Sequence, residues 1–209
     1  MNVIVIGATG TIGRFVVAAL IAQNHRVTAF ARDLGVLSIE SSKLRKVAGD
    51  VLDPKDVLEA VLGHDAVVIV LGAGKSRSGT VRSTGTTHVI SAMQKHGIRR
   101  LICQSTLGAH ESRKNLNFFW RRIMFGILLR PVLRDHELQE TFVRASGLDW
   151  TIVRPAAFMD GPATGRFEEG FGPDQPGLAL KIARAEVAGF LTRQLTDTRY
   201  LQKAVAIST

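Results

Sequence analysis

Short unbroken apolar runs alternate along this chain with segments whose apolar residues recur at helical spacing. Val3 to Ile6 is such a run, closed by Gly7, and it reads as a strand covered on both faces. Ile12, Phe15, Val16, Ala19 and Leu20 then recur with the period of a helix. Further strands are expected over Val27 to Ala31, Leu44 to Ala48, Ala66 to Leu71, Leu101 to Gln104 and Trp150 to Val153, with a short one over Ala204 to Ile207. Ala66 to Leu71 is the most apolar of them, which predicts the centre of the sheet.

Helices are expected from Pro54, with Val57, Leu58 and Val61 inward, and over Thr86 to His96, where Gly97 stops the turn. Two more are expected over Leu133 to Ser146, before Gly147, and over Glu186 to Leu195. Gly72 to Gly85 reads as a loop rich in Gly, Ser and Thr, and residues 160–177 as loop and edge structure. Parallel strands need crossovers, and the intervening helices supply them. The pattern therefore predicts one doubly wound α/β domain over residues 1–209, with a mainly parallel sheet.

The length of 209 residues is that of one ordinary domain with a full core. A single cysteine, Cys103, excludes a disulfide framework and a multi-cysteine metal site, and fits a reducing compartment. Its place inside a predicted strand makes it a small buried apolar residue. The net charge of +9 would attract nucleic acid, an anionic membrane face or a phosphorylated small molecule, or it is simply a solvated basic surface. The cations are scattered and no nucleic-acid-binding signature accompanies them, so no nucleic-acid partner is expected. The amino-terminal apolar run lacks a basic flank and is too short for a signal peptide, and no segment is long enough to span a bilayer. A cytoplasmic location is the resulting expectation.

Gly7-Ala8-Thr9-Gly10-Thr11-Ile12-Gly13 lies between the first strand and the first helix. Glycines there allow a sharp turn and let backbone N–H groups approach a pyrophosphate, which the helix N-terminus also attracts. About 20 residues on, at the end of the second strand, an acid usually holds the ribose hydroxyls of NAD. This chain has Arg32 followed by Asp33, and a guanidinium suits the 2′-phosphate of NADP. NADP(H) is therefore the expected cofactor, with NAD(H) the alternative if Asp33 takes the ribose. Asp50 and Val51 are placed to flank the adenine, and Leu71 and Gly72 to cover the ribose side. Gly74-Lys75-Ser76 resembles the end of a triphosphate-binding loop, but that pattern needs a glycine where Ile69 stands.

With these residues in hand, the chain resembles the atypical short-chain dehydrogenase/reductase group. More narrowly, it resembles the NAD(P)H-binding NmrA-like proteins and the flavin reductase (biliverdin reductase B) type. The resemblance is carried by the glycine turn, Arg32-Asp33, Gly49-Asp50-Val51, Asp65-Ala66-Val67-Val68, Cys103-Gln104-Ser105, Ser146-Gly147-Leu148, Arg154-Pro155 and the 160–165 turn. It implies a Rossmann-like fold with NADPH across the carboxyl ends of the strands and its nicotinamide near Ser105 and Pro155-Ala156-Ala157. In the flavin reductase type a serine and a histidine line the substrate side. Ser105 matches the serine, but Ala157 stands where the histidine would fall.

The Tyr-x-x-x-Lys pair of the catalytic short-chain dehydrogenases is absent, since the only tyrosine, Tyr200, lies near the carboxyl end and far in sequence from any such site. A localised alkoxide needs a positioned acid, a contribution of about 10²–10⁴-fold. Hydride added to a flavin, quinone or linear tetrapyrrole gives a delocalised anion that water can protonate. The expected activity is thus hydride transfer from NADPH to a conjugated small molecule, with Ser105 donating a hydrogen bond. His136, in Asp135-His136-Glu137 at an expected helix start, is the substitute acid to consider, its pKa raised by the neighbouring acids unless it is a solvated cap. His110 is a weaker candidate. The competing function is a non-catalytic NADP(H)-binding redox sensor, which the missing tyrosine and histidine favour. A sugar-nucleotide epimerase would also need the tyrosine.

Residues 117–132 combine Phe118, Phe119, Trp120, Met124 and Phe125 with Arg121, Arg122 and Arg130. Their place after the fifth strand favours a wall of the substrate pocket. A homodimer contact and a weak membrane-surface contact through 118–130 are the other readings. Either a monomer or a homodimer fits the chain.

Overall fold

The computed structural model describes residues 1–72, 79–173 and 175–209. Its main sheet has eight strands in the order β3-β2-β1-β4-β5-β6-β10-β8. These are β1 (Asn2–Ile6), β2 (Arg26–Ala31), β3 (Leu44–Ala48), β4 (Ala66–Ile69), β5 (Arg100–Gln104), β6 (Asp149–Pro155), β8 (Glu168–Glu169) and β10 (Lys203–Ser208). Only the short edge strand β8 is antiparallel. A separate parallel pair joins β7 (Ala157–Met159) to β9 (Lys181–Ala183). The expected α/β class and mainly parallel sheet are therefore present. The short terminal strand proves six residues long, because β6 offers it a full parallel edge.

Alternation within each strand divides the core. In β1, Val3 and Val5 face the layer of α1 (Gly13–Ala22) and α5 (Arg184–Arg193). Ile4 and Ile6 face the layer of α2 (Pro54–Val61), α3 (Val81–His96) and α4 (Arg130–Ala145). Both faces are covered, which is why β4 is wholly buried and shows no polar alternation. The Asp53 side chain caps α2 by accepting the Lys55 N–H at 2.8 Å, with Pro54 in the first turn.

Three local expectations change. First, β4 stops at Ile69 rather than Leu71. Second, α3 begins at Val81, so the loop expected through Gly85 is shorter. Its local N-cap, Thr80, makes no side-chain cap, and Asp135 of α4 accepts the N–H groups of Arg82 and Ser83 instead. The rejected Gly74-Lys75-Ser76 motif lies outside the described residues. Third, α4 begins at Arg130, which places His136 within the helix rather than at its start. Before α4, Phe119–Leu128 winds as a π-helix, closed by an i to i+5 bond from the Leu129 N–H to the Met124 carbonyl at 2.6 Å.

Candidate cofactor cleft and substrate cavity

The carboxyl ends of β1 to β4 bound a cleft of about 280 Å³. Gly7, Thr9, Gly10, Arg32, Asp50, Val51, Leu71 and Gly72 all line it, so eight expected cofactor residues from four strand ends meet there. Asp33 and Gly49 line it as well, and Ile6, Phe30, Ala31, Leu52 and Val81 complete the wall. Sequence reasoning assigned no role to the last five, which lie at apolar strand ends, in the turn after β3 and in the first turn of a distant helix.

The turn after β1 depends on its glycines. Gly7 has a φ of +91° and donates to the Phe30 carbonyl at 3.0 Å, and Gly10 donates back to Gly7 at 3.0 Å. A Cβ on Gly13 would stand 2.2 Å from the Gly7 carbonyl oxygen, so only glycine lets α1 start against the turn. No side chain caps the first turn of α1 and no acid lies in it. Its N-terminal polarity is thus left for an anionic ligand, which fits a pyrophosphate. Thr11 is exposed, whereas Ile12 and Gly13 are buried behind the turn, and none of the three lines the cleft.

At the end of β2, the Asp33 carboxylate accepts the Gly35 N–H at 2.9 Å and so holds its own turn. Arg32 is exposed on the cleft and makes no ion pair among the described residues. Asp50 is engaged too, accepting the Leu52 N–H at 3.0 Å.

A second cavity of about 370 Å³ lies further along the same edge, at the ends of β5 and β6. Thr106, Leu107, Pro155, Ala156, Ala157 and Phe158 line it from the strand ends, and Leu180 and Arg184 from beyond β7. Leu116, Trp120, Phe125, Leu129 and Val132 form the remaining wall, so the aromatic segment lines this cavity. Pro155 thus belongs to this cavity rather than to the cleft. No carboxylate, imidazole, thiol or phenol is among its lining residues.

Ser105 does not line either space. It is 1% exposed, its N–H donates to the Val153 carbonyl at 2.7 Å, and its hydroxyl finds no partner among the described residues. Thr106 takes the lining position instead. His136 corrects the expectation of a raised pKa or a solvated cap. It is 5% exposed between α3 and α4. Burial, and secondarily the Arg82 cation, lower its pKa to about 3 against an opposing hydrogen bond with Gln139, so at neutral pH it is an uncharged imidazole rather than an imidazolium acid. His110 is on the surface, its Nε2 2.9 Å from the Glu137 carbonyl. Burial pushes the Cys103 thiol up, in keeping with a packed apolar residue. Tyr200 packs on Phe190, and its carbonyl accepts from Thr151 near the start of β6, away from the carboxyl ends.

Beneath the site, Arg154 forms a buried fork on Glu140, Nε to Oε1 at 2.8 Å and Nη2 to Oε2 at 2.5 Å, and also reaches Glu111 at 3.0 Å. The sequence marks Arg154 only as a neighbour of Pro155. Its partners on α4 and on the turn after β5 required the fold.

A family model described as NAD(P)H-binding matches residues 7–198. The photosystem II assembly factor Ycf39 of Synechocystis is 30% identical over 165 residues, which make up 77% of this chain and 46% of that protein. The chain thus spans less than half the length of that relative. The Bacillus subtilis protein YhfK, named an uncharacterized sugar epimerase, is 31% identical over 173 residues, 79% of this chain and 76% of its own. A short-chain dehydrogenase/reductase from Veillonella parvula in complex with NADP has a TM-score of 0.84 at 17% identity, over 100% of this chain and 94% of its own, which establishes a shared fold. Since the match runs from Gly7 of the first turn to Thr198 beyond the last helix, the chain belongs to the NAD(P)H-binding family.

Proposed function

We propose that this protein is an NADPH-dependent reductase whose acceptor is a conjugated small molecule of the flavin, quinone or tetrapyrrole type. The observation that carries this reading is the second cavity, apolar and without an acid among its lining residues, beside the cofactor cleft. Bound NADPH would supply the hydride. The chain's own part is to orient and to exclude water, with Trp120, Phe125 and Leu129 closing over a planar acceptor and Thr106 and Arg184 as its polar contacts. A delocalised product anion can be protonated from solvent, so the lack of a lining acid is tolerable for that class and not for an isolated ketone.

Preference for NADPH rests on Arg32, exposed at the cleft, while the neighbouring Asp33 holds the Gly35 N–H through one carboxylate oxygen. In the second reading, a non-catalytic redox sensor, the acid-free cavity and the sealed Ser105 hydroxyl are structural only. NADPH oxidation assayed with flavins, quinones and aliphatic ketones separates the two. Turnover confined to the conjugated acceptors is expected. Ketone reduction alone would overturn the proposal. No turnover, with markedly unequal affinities for NADP and NADPH, would favour the sensor.

A further inference from the structure

The π-helical segment is apolar on two sides. Its inner side, through Trp120, Phe125 and Leu129, walls the second cavity. Its outer side exposes Phe118 by 68%, Phe119 by 51%, Ile127 by 72% and Leu128 by 61%, four large apolar residues within eleven positions. The cavity-wall role explains the first side and leaves the second without a partner.

Charge identifies what suits that outer side. From Ser112 to Arg134 the chain contains no acidic residue, while Arg113, Lys114, Arg121, Arg122, Arg130 and Arg134 are all present and exposed. None of these six forms an ion pair among the described residues. Exposed aromatic and aliphatic side chains interleaved with unpaired cations match an interface of acyl chains beneath anionic headgroups. A second copy of the chain fits worse. A two-fold contact brings the same patch against itself, which would set an acid-free, arginine-rich surface against its own copy on a protein of net charge +9. A membrane span is a different matter, since no helix among the described residues is long and apolar enough to cross one.

We propose that residues 118–128 dock this protein on the surface of an anionic lipid bilayer, with the phenylalanine and aliphatic side chains entering the acyl boundary and the flanking arginines meeting the headgroups. The proposal does not depend on the reductase reading, because docking is measured without turnover.

The test is flotation of the full chain with phosphatidylcholine vesicles, with and without phosphatidylglycerol, at low and raised ionic strength. Binding is expected only to the anionic vesicles and is expected to weaken with salt. Phe119→Ser/Ile127→Ser and Arg121→Gln/Arg122→Gln should each reduce it by roughly tenfold or more. All four substituted side chains are exposed, so NADPH affinity and thermal unfolding should stay at wild-type values and show the variants to be folded. Failure to float with anionic vesicles, equal binding to both vesicle types, or variants that bind like the parent would overturn the proposal. So would a dimer in sedimentation velocity that Phe119→Ser/Ile127→Ser abolishes while vesicles remain unbound, which would assign the face to a second copy.

Discussion

Ser83 is held twice by Asp135: its backbone N–H reaches Oδ1 at 3.0 Å and its hydroxyl reaches the same oxygen at 2.6 Å. The second carboxylate oxygen accepts the Arg82 N–H at 3.2 Å and lies 3.5 Å from the Arg82 guanidinium. A residue of α4 therefore caps α3, whose first residue, Val81, lines the cofactor cleft. Asp135→Ala removes the cap and leaves a buried Arg82 without its counter-charge. The expected loss is about 3 kcal/mol of stability, measured by urea unfolding, together with weaker NADPH binding. Wild-type stability in that variant would mean that the cap is not a tertiary support.

His136 predicts an acid limb in the stability profile. Its pKa is about 3 in the folded chain, below the ordinary 6.5 of the unfolded one. A depressed value means that the unfolded state binds the proton more readily. The stability from keeping this group neutral is fully present above about pH 6.5, and it is lost as pH falls toward 3. The slope from this one group approaches about 1.4 kcal/mol per pH unit within that window. His136→Gln should flatten unfolding free energy between pH 6 and pH 4. Unchanged steepness in that variant would place the linkage elsewhere.

Glu111 acts in a lower window. Its burial alone would raise the pKa, but hydrogen bonds from Arg154 and its own backbone, with the charges of Arg154 and Arg144, outweigh this and hold it at about 2, against an ordinary 4.5. Its contribution is present above about pH 4.5 and fades as pH drops toward 2. Because its side chain is 63% exposed, solvent screening keeps that contribution small, and Glu111→Gln should lower stability at neutral pH by about 1 kcal/mol or less. The same variant should show a shallower decline below pH 4.5 than the parent.

Arg32 tests the choice of cofactor. A charge-assisted hydrogen bond contributes about 1.5–3 kcal/mol, so Arg32→Gln should weaken NADPH binding by roughly ten- to a hundredfold. NADH binding should change by less than about threefold, since no phosphate contact is lost. Fluorescence titration with both nucleotides reads the ratio directly, and equal weakening of the two would remove Arg32 from the 2′-phosphate role.

Gly13→Ala should disable the first turn. The added Cβ would stand 2.2 Å from the Gly7 carbonyl oxygen and 2.8 Å from the Ala8 carbonyl group, all of it backbone that cannot swing aside. Overpacking of this kind destabilises by about 1–3 kcal/mol, and displacement of the turn should abolish measurable nucleotide binding. Calorimetry of a soluble, folded variant checks the second effect apart from the first.

The sheet and the cleft were legible in the sequence because their causes are short-range. Val3 to Ile6 lacks polar alternation since both its faces are covered, and Gly7 and Gly13 mark a turn that larger residues cannot make. Arg32 and Asp50 could be placed because the ends of parallel strands share one edge of the sheet. His136 could not be judged in this way. Its neighbours Asp135 and Glu137 suggested a charged, wet helix start, whereas packing of α3 on α4 buried the imidazole and set Arg82 beside it. Asp135 likewise gave no sign along the chain that it caps a helix 53 residues earlier. Periodicity and turn chemistry are properties of neighbours in sequence, so the chain alone determined its main strands and helices and its glycine turn, but not the π-helix or the β7–β9 pair. Desolvation and long-range partners depend on which surfaces meet, so only the tertiary structure decided the charge state of His136, the seal over Ser105 and the walls of the second cavity.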